Sequence, residues 1–87
     1  MEEKNIFTVT QEAQMCGETY YSIIAEYDNE KDAKKKMKEV SQKNLSYFEQ
    51  HVSKDNIDVE EHEHGIYINV GISDEYSYTE INQTTLY

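Results

Sequence analysis

The chain has 87 residues, 37% hydrophobic and 30% charged, with eight Lys and no Arg against 18 acidic residues, a net charge of −10. This length supports one domain with a core just large enough to fold and excludes a second. No apolar run approaches the roughly 18 residues of a membrane span, and the acidic start after Met1 lacks the basic-then-apolar pattern of a signal peptide, so the cytoplasm is the expected location.

Eight Tyr, two Phe and well-spaced Ile and Val oppose disorder. The absence of Pro and the presence of only three Gly leave no linker or repeat. Residues 6–13 alternate, with Phe7, Val9 and Ala13 on one side and Thr8, Thr10 and Glu12 on the other, the two-residue period of a strand. Residues 19–27 repeat the pattern, which puts Tyr21, Ile23, Ala25 and Tyr27 on one face and Tyr20, Ser22, Ile24 and Glu26 on the other. Met15-Cys16-Gly17-Glu18 supplies a glycine turn between them, so the two strands form a hairpin. Cys16 stands alone, which excludes an internal disulfide and a cysteine-based zinc site.

The period then changes. Asn29, with Asp32 three residues on, makes a shortened capping box, and Glu30 and Asp32 suit the positive start of a helix. Ala33, Met37, Val40, Tyr47 and Phe48 recur at helical spacing, while Lys34, Lys35, Lys38 and Lys43 lie mostly off that stripe. The pattern predicts an amphipathic helix of up to about 24 residues, on the order of 36 Å long, with a break near Asn44. Beyond it, Ile57 and Val59 alternate with Asp58 and Glu60, and Ile66, Ile68, Val70 and Ile72 give the strongest strand signal in the chain. Ser73-Asp74-Glu75 reads as a turn, and residues 76–86 as a final strand or a pair of short ones. The expected fold is α+β: a mainly antiparallel sheet of four to five strands, one amphipathic helix packed on one face, in the order ββαβββ.

Charge is divided along the chain. Residues 29–52 hold six Lys against four acids, and the remainder holds two Lys against fourteen, a net of −12. Crowded like charges lower the stability of a compact state, so this acidity points to a role other than folding. The sharpest cluster is Asp55, Asp58, Glu60, Glu61 and Glu63, followed after one strand by Asp74, Glu75 and Glu80. If residues 57–60 pair beside 66–72, and those beside 76–81, the carboxylates gather on adjacent strands. Such a display imitates part of the charge lattice of a nucleic acid, about one negative charge per 1.7 Å of duplex, for a protein with a basic groove. One helix covers one sheet face, so the opposite face, expected to include Tyr20, Ile24 and Tyr67, meets water, a second copy or a partner. Tyr21, Tyr27 and Tyr47 are assigned to the core, and Tyr20, Tyr67, Tyr76 and Tyr78 to a partner, because Tyr offers contact area at small entropic cost.

Other chemistries find less support. Glu60, His62 and His64, at i, i+2 and i+4, would share one side of a strand as a zinc-compatible donor set. The flanking Glu residues favour a solvated hairpin tip instead, and no metal or cofactor is expected. Cys16 has no basic neighbour to lower its pKa, and no phosphate loop or nucleophile elbow is present, so no enzyme activity is expected. Lys31, Lys34, Lys35, Lys36 and Lys38 read as the solvated side of a helix, and the acidic remainder would repel phosphate, so direct nucleic-acid binding is not expected.

In size, acidity, absence of cofactor motifs and compact α+β pattern, the chain resembles the small acidic inhibitors of bacteriophages and mobile elements, among them anti-CRISPR proteins and DNA-mimic inhibitors. The resemblance is one of general character and transfers no residue. It implies a protein that binds and inhibits a larger, basic nucleic-acid-binding protein or nuclease, with Asp58, Glu60, Glu61, Glu63, Asp74, Glu75, Glu80, Tyr67, Tyr76 and Tyr78 as contacts. Two alternatives stand beside it: a homodimer or larger assembly through the open sheet face, and an immunity or antitoxin-type partner of a toxin nuclease.

Overall fold

The opening alternation builds two long strands, β1 (Lys4–Met15) and β2 (Glu18–Tyr27). In this computed structural model, which describes residues 4–15 and 17–86, Met15 pairs with Glu18, so two residues join the strands. Gly17 takes a φ of 80°, a conformation that side chains disfavour. The turn cysteine, Cys16, lies outside the described residues.

Helix α1 (Glu30–Glu49) starts where the capping pattern places it. The Asn29 side chain accepts from the Asp32 backbone N–H at 2.8 Å and donates to the Asp32 carboxylate at 3.0 Å. The helix buries Ala33, Met37, Ser41 and Phe48. It does not break at Asn44. That side chain reaches the sheet, donating to Gln11 Oε1 at 2.7 Å and Ser77 Oγ at 2.6 Å, so it does not compete for its own backbone.

A short 3-10 turn (Lys54–Asn56) leads into β3 (Ile57–His62), β4 (Gly65–Val70) and β5 (Tyr76–Leu86), the last a single continuous strand. The five strands form one sheet in the order β2-β1-β5-β4-β3, with every neighbouring pair antiparallel. The fold is α+β in the order ββαβββ. Ile72 falls outside β4, 68% exposed in the following turn. The strand gives way to a turn in which the Ser73 N–H donates to the Val70 carbonyl at 3.3 Å, after the Gly71 N–H to Asn56 and the Val70 N–H to Glu75 carry each strand register one pair further. Among the described residues, no helix is long and apolar enough to cross a membrane.

The helix lies mainly over β5 and β4 and touches β1 and β2. Under it sit two apolar clusters. One is Phe7, Val9, Ala33, Met37, Ile66 and Ile81, with Ile24 and Tyr27 packed against it. The other is Phe48, Ile68 and Val70, flanked by Met15, Leu45, Tyr47, Val52 and Ile57. The helix-facing side of β5 contributes the fully buried Ser77 and Thr79.

One irregularity decides which side chains leave this core. Val9 pairs with Ala25 but Thr10 with Ile23, which leaves Ile24 as an extra residue in β2. Such a bulge shifts side-chain parity on one strand only. Ile24 therefore packs into the core, and Tyr20 lies on the helix side, opposite the buried Ala13. Tyr21 and Ile23, which unbroken alternation assigns to the core, are 67% and 64% exposed on the other face.

Phe48 is 1% exposed and central to its cluster. Phe48→Ala should therefore lower stability by about 3–5 kcal/mol, read from the urea midpoint at constant slope. Ile72→Ala, at an exposed turn, should change it by less than about 0.5 kcal/mol. Comparable losses would show that the helix-covered core is misassigned.

Candidate functional site: the open face of the sheet

The strand registers place the side chains opposite the helix in rows. One row runs Tyr21–Glu12–Tyr78–Tyr67–Glu60 from edge to edge. The row on one side is Thr19–Gln14–Tyr76–Asn69–Asp58, and on the other Ile23–Thr10–Glu80–Gly65–His62. Tyr67, Tyr78 and Tyr76 thus sit centrally, with Glu12, Asp58, Glu60 and Glu80 around them. These three rows hold no Lys.

The rings form a continuous patch. Tyr67 and Tyr78 meet edge to face at 5.1 Å between centroids, Tyr76 and Tyr78 lie at 4.6 Å, and His62 approaches Tyr67 at 5.3 Å. The Tyr78 hydroxyl donates to Asn69 Oδ1 at 3.2 Å, and that of Tyr76 to Glu12 Oε2 at 3.5 Å. Partial burial raises the Tyr67 hydroxyl pKa, and the negative charges of Glu80 and Glu60 push it the same way. Burial and then Glu12 do so for Tyr76. Both phenols are held neutral beside carboxylates. An aromatic centre with a polar rim is the common anatomy of a protein interface.

Of the acids singled out in the sequence, Asp58, Glu60 and Glu80 belong to this face, as do Tyr67, Tyr76 and Tyr78. The others are elsewhere. Glu61 points to the helix side, where it borders a groove with Lys38, Ser41 and Val59. Glu63, in the β3–β4 turn, pairs with Lys34 at 3.7 Å. Asp74 and Glu75 occupy the β4–β5 turn at the opposite end of β4, where the Glu75 N–H donates to Ser73 Oγ at 3.3 Å. Tyr20 does not reach the face either, and its hydroxyl donates to Glu18 at 2.7 Å. Glu12, Tyr21 and Ile23 are additions, delivered by the β1–β5 pairing and the bulge.

Glu60, His62 and His64 do not converge. His62 lies 3.4 Å from Glu60, whereas His64, beyond the end of β3, bonds Glu30 Oε1 at 3.0 Å. Glu30, Glu63 and His64 bring ligand-type atoms within 4.8 Å of one another. The Lys34 ammonium already sits among them, 3.0 Å from Glu30 and 3.7 Å from Glu63. This is an exposed ion-pair network tying the helix start to the β3–β4 turn.

That network sets a pH dependence. The hydrogen bond from Lys34, then that from His64, holds the Glu30 carboxyl below its ordinary value, and Glu30 in turn raises Lys34. A carboxyl lowered in the folded state contributes stability that is present above its unfolded pKa and fades as pH falls through the folded one; the raised Lys loses its share only as pH rises through its own value. Urea midpoints taken from about pH 6 down to about pH 3 should therefore fall less steeply for Glu30→Gln than for the wild type. Identical slopes would contradict the tie. Comparisons with protein-family models, curated proteins and solved structures find no match to this chain, so its function is argued from this geometry.

Proposed function

We propose that the protein is a small acidic binding protein that docks its open sheet face onto a basic surface of a larger nucleic-acid-binding protein or nuclease and inhibits it by occluding that surface. The observation that supports this most is the arrangement of Glu12, Asp58, Glu60 and Glu80 around Tyr67, Tyr76 and Tyr78 with no Lys in the same rows. The carboxylates steer a basic partner at long range, and the tyrosines supply short-range contact area. Steering of this kind weakens with salt, as it does for a nucleic acid on the same surface. The role is non-catalytic and places the protein among inhibitors such as those carried by phages. Its expected setting is the cytoplasm, where such targets work.

The test is the triple reversal Glu12→Lys, Glu60→Lys, Glu80→Lys. Glu12 and Glu60 are exposed, so each should change stability by about 0.5 kcal/mol or less; Glu80 is half-buried, and circular dichroism checks that the fold is retained. The wild type should block nucleic-acid binding by its basic target in a salt-sensitive, competitive manner, and the variant should lose the effect. A folded variant that still inhibits would refute the proposal.

A second reading is favoured by the edge strand β2. Between Glu18 and Glu26 it holds no charged residue, and Tyr21 and Ile23 are largely exposed along it, the profile of an edge that accepts another strand. Self-association there predicts a dimer in sedimentation that Ile23→Lys dissolves and the triple reversal leaves intact. Sedimentation as a monomer at the highest soluble concentration would exclude it.

A further inference from the structure

A recess of about 330 Å³ opens on the tyrosine face, lined by Glu60, Tyr67, Asn69, Tyr78 and Glu80. Two carboxylates, two aromatic rings and the Asn69 amide line it. The rings are held in place: Tyr78 by its hydrogen bond to Asn69, and Tyr67 by its edge-to-face contact with Tyr78. Tyr67 lies across Gly65, where a Cβ would come within 3.0 Å of its hydroxyl oxygen. The missing side chain lets the ring lie down against the sheet and brings its hydroxyl toward Glu80, the cross-strand partner of Gly65. On the other side Glu60 is directly opposite Tyr67.

We propose that this recess is an arginine cradle, in which a guanidinium from the basic partner lies against the Tyr67 and Tyr78 rings and donates hydrogen bonds to Glu60 and Glu80. The inference rests on the docking function above and names the side chain that it uses. Two carboxylates with no cation among the lining residues select a positive charge. The aromatic rings select its shape: a guanidinium is planar, weakly hydrated and able to stack on a ring while its edge bonds a carboxylate, whereas an ammonium is compact and strongly hydrated. The occupant comes from a different protein, because this chain has eight Lys and no Arg. A second copy has no guanidinium to offer.

Oligo-arginine and oligo-lysine peptides of equal length, titrated into the isotopically labelled protein and followed by NMR, test the cradle. The arginine peptide should bind about two- to fivefold more tightly for each guanidinium seated on a ring and should shift the Tyr67 and Tyr78 ring resonances. Tyr67→Leu should abolish that preference, so that the two peptides bind the variant with equal affinity. Equal affinities, with shifts at the carboxylates and none at the rings, would overturn the cradle and leave the docking function standing. Failure of both peptides to shift any open-face resonance would overturn both. The comparison of peptides on the wild type needs no variant, so it decides the matter even where Tyr67→Leu fails to fold.

Discussion

A helix of 20 residues is about 30 Å long and can shield only one side of a sheet. Every other property of this molecule follows from the sheet's having five strands and the chain's providing one such helix. The covered side buries Val9, Ile66, Ile68, Val70 and Ile81 from the strands, with Met37 and Phe48 from the helix. The uncovered side must then be made from side chains that tolerate water yet favour extended backbone. Tyrosine does both. The open face is accordingly centred on tyrosines, with Ile23 at its β2 edge.

Among the described residues, no Lys forms an ion pair with the acids on that face. The ion pairs of Lys34 with Glu30 and Glu63, Lys36 with Glu39, and Lys54 with Glu49 lie on or beside α1, and Lys31, Lys35, Lys38 and Lys43 are exposed along the helix. Residues 29–52 hold six Lys against four acids, whereas the three open-face rows hold Glu12, Asp58, Glu60 and Glu80 and no Lys. Exposed, solvent-screened pairs of this kind add little to stability, so charge placement serves it only slightly. Concentrating uncompensated carboxylates around Tyr67, Tyr76 and Tyr78 works against the compact state and in favour of association with a cation-rich surface. That balance is the one the proposed docking role requires.

Local signals made most of the fold legible. The period of two at Phe7, Val9 and Ala13, the Asn29–Asp32 cap and the stripe of Ala33, Met37 and Phe48 each act within a few residues, so element type and order can be read directly. Three features cannot be read that way. The bulge at Ile24 has no glycine or proline to mark it, yet it reverses Tyr20, Tyr21, Ile23 and Ile24 between faces. Glu12 reaches Tyr78 only because β1 pairs with β5, a contact across most of the chain. Asn44 stays helical because its partners, Gln11 and Ser77, are tertiary. The acidic cluster shows the opposite situation, since Glu60 and Glu61 are adjacent in a strand and must point to opposite faces. Contiguity in sequence made one cluster of groups that alternation divides.

The most direct measurement is site-specific photo-crosslinking from the two sides of the molecule, with a benzophenone amino acid at Tyr21 on the open face or at Lys35 on the exposed helix. Each variant is mixed with a bacterial lysate and with the triple charge reversal as control. An adduct formed only from position 21, lost in the charge-reversed background, and containing a basic protein whose nucleic-acid binding the wild type blocks, is the predicted result. Adducts formed only from position 35, or a position 21 that links only to a second copy of this chain, would contradict it.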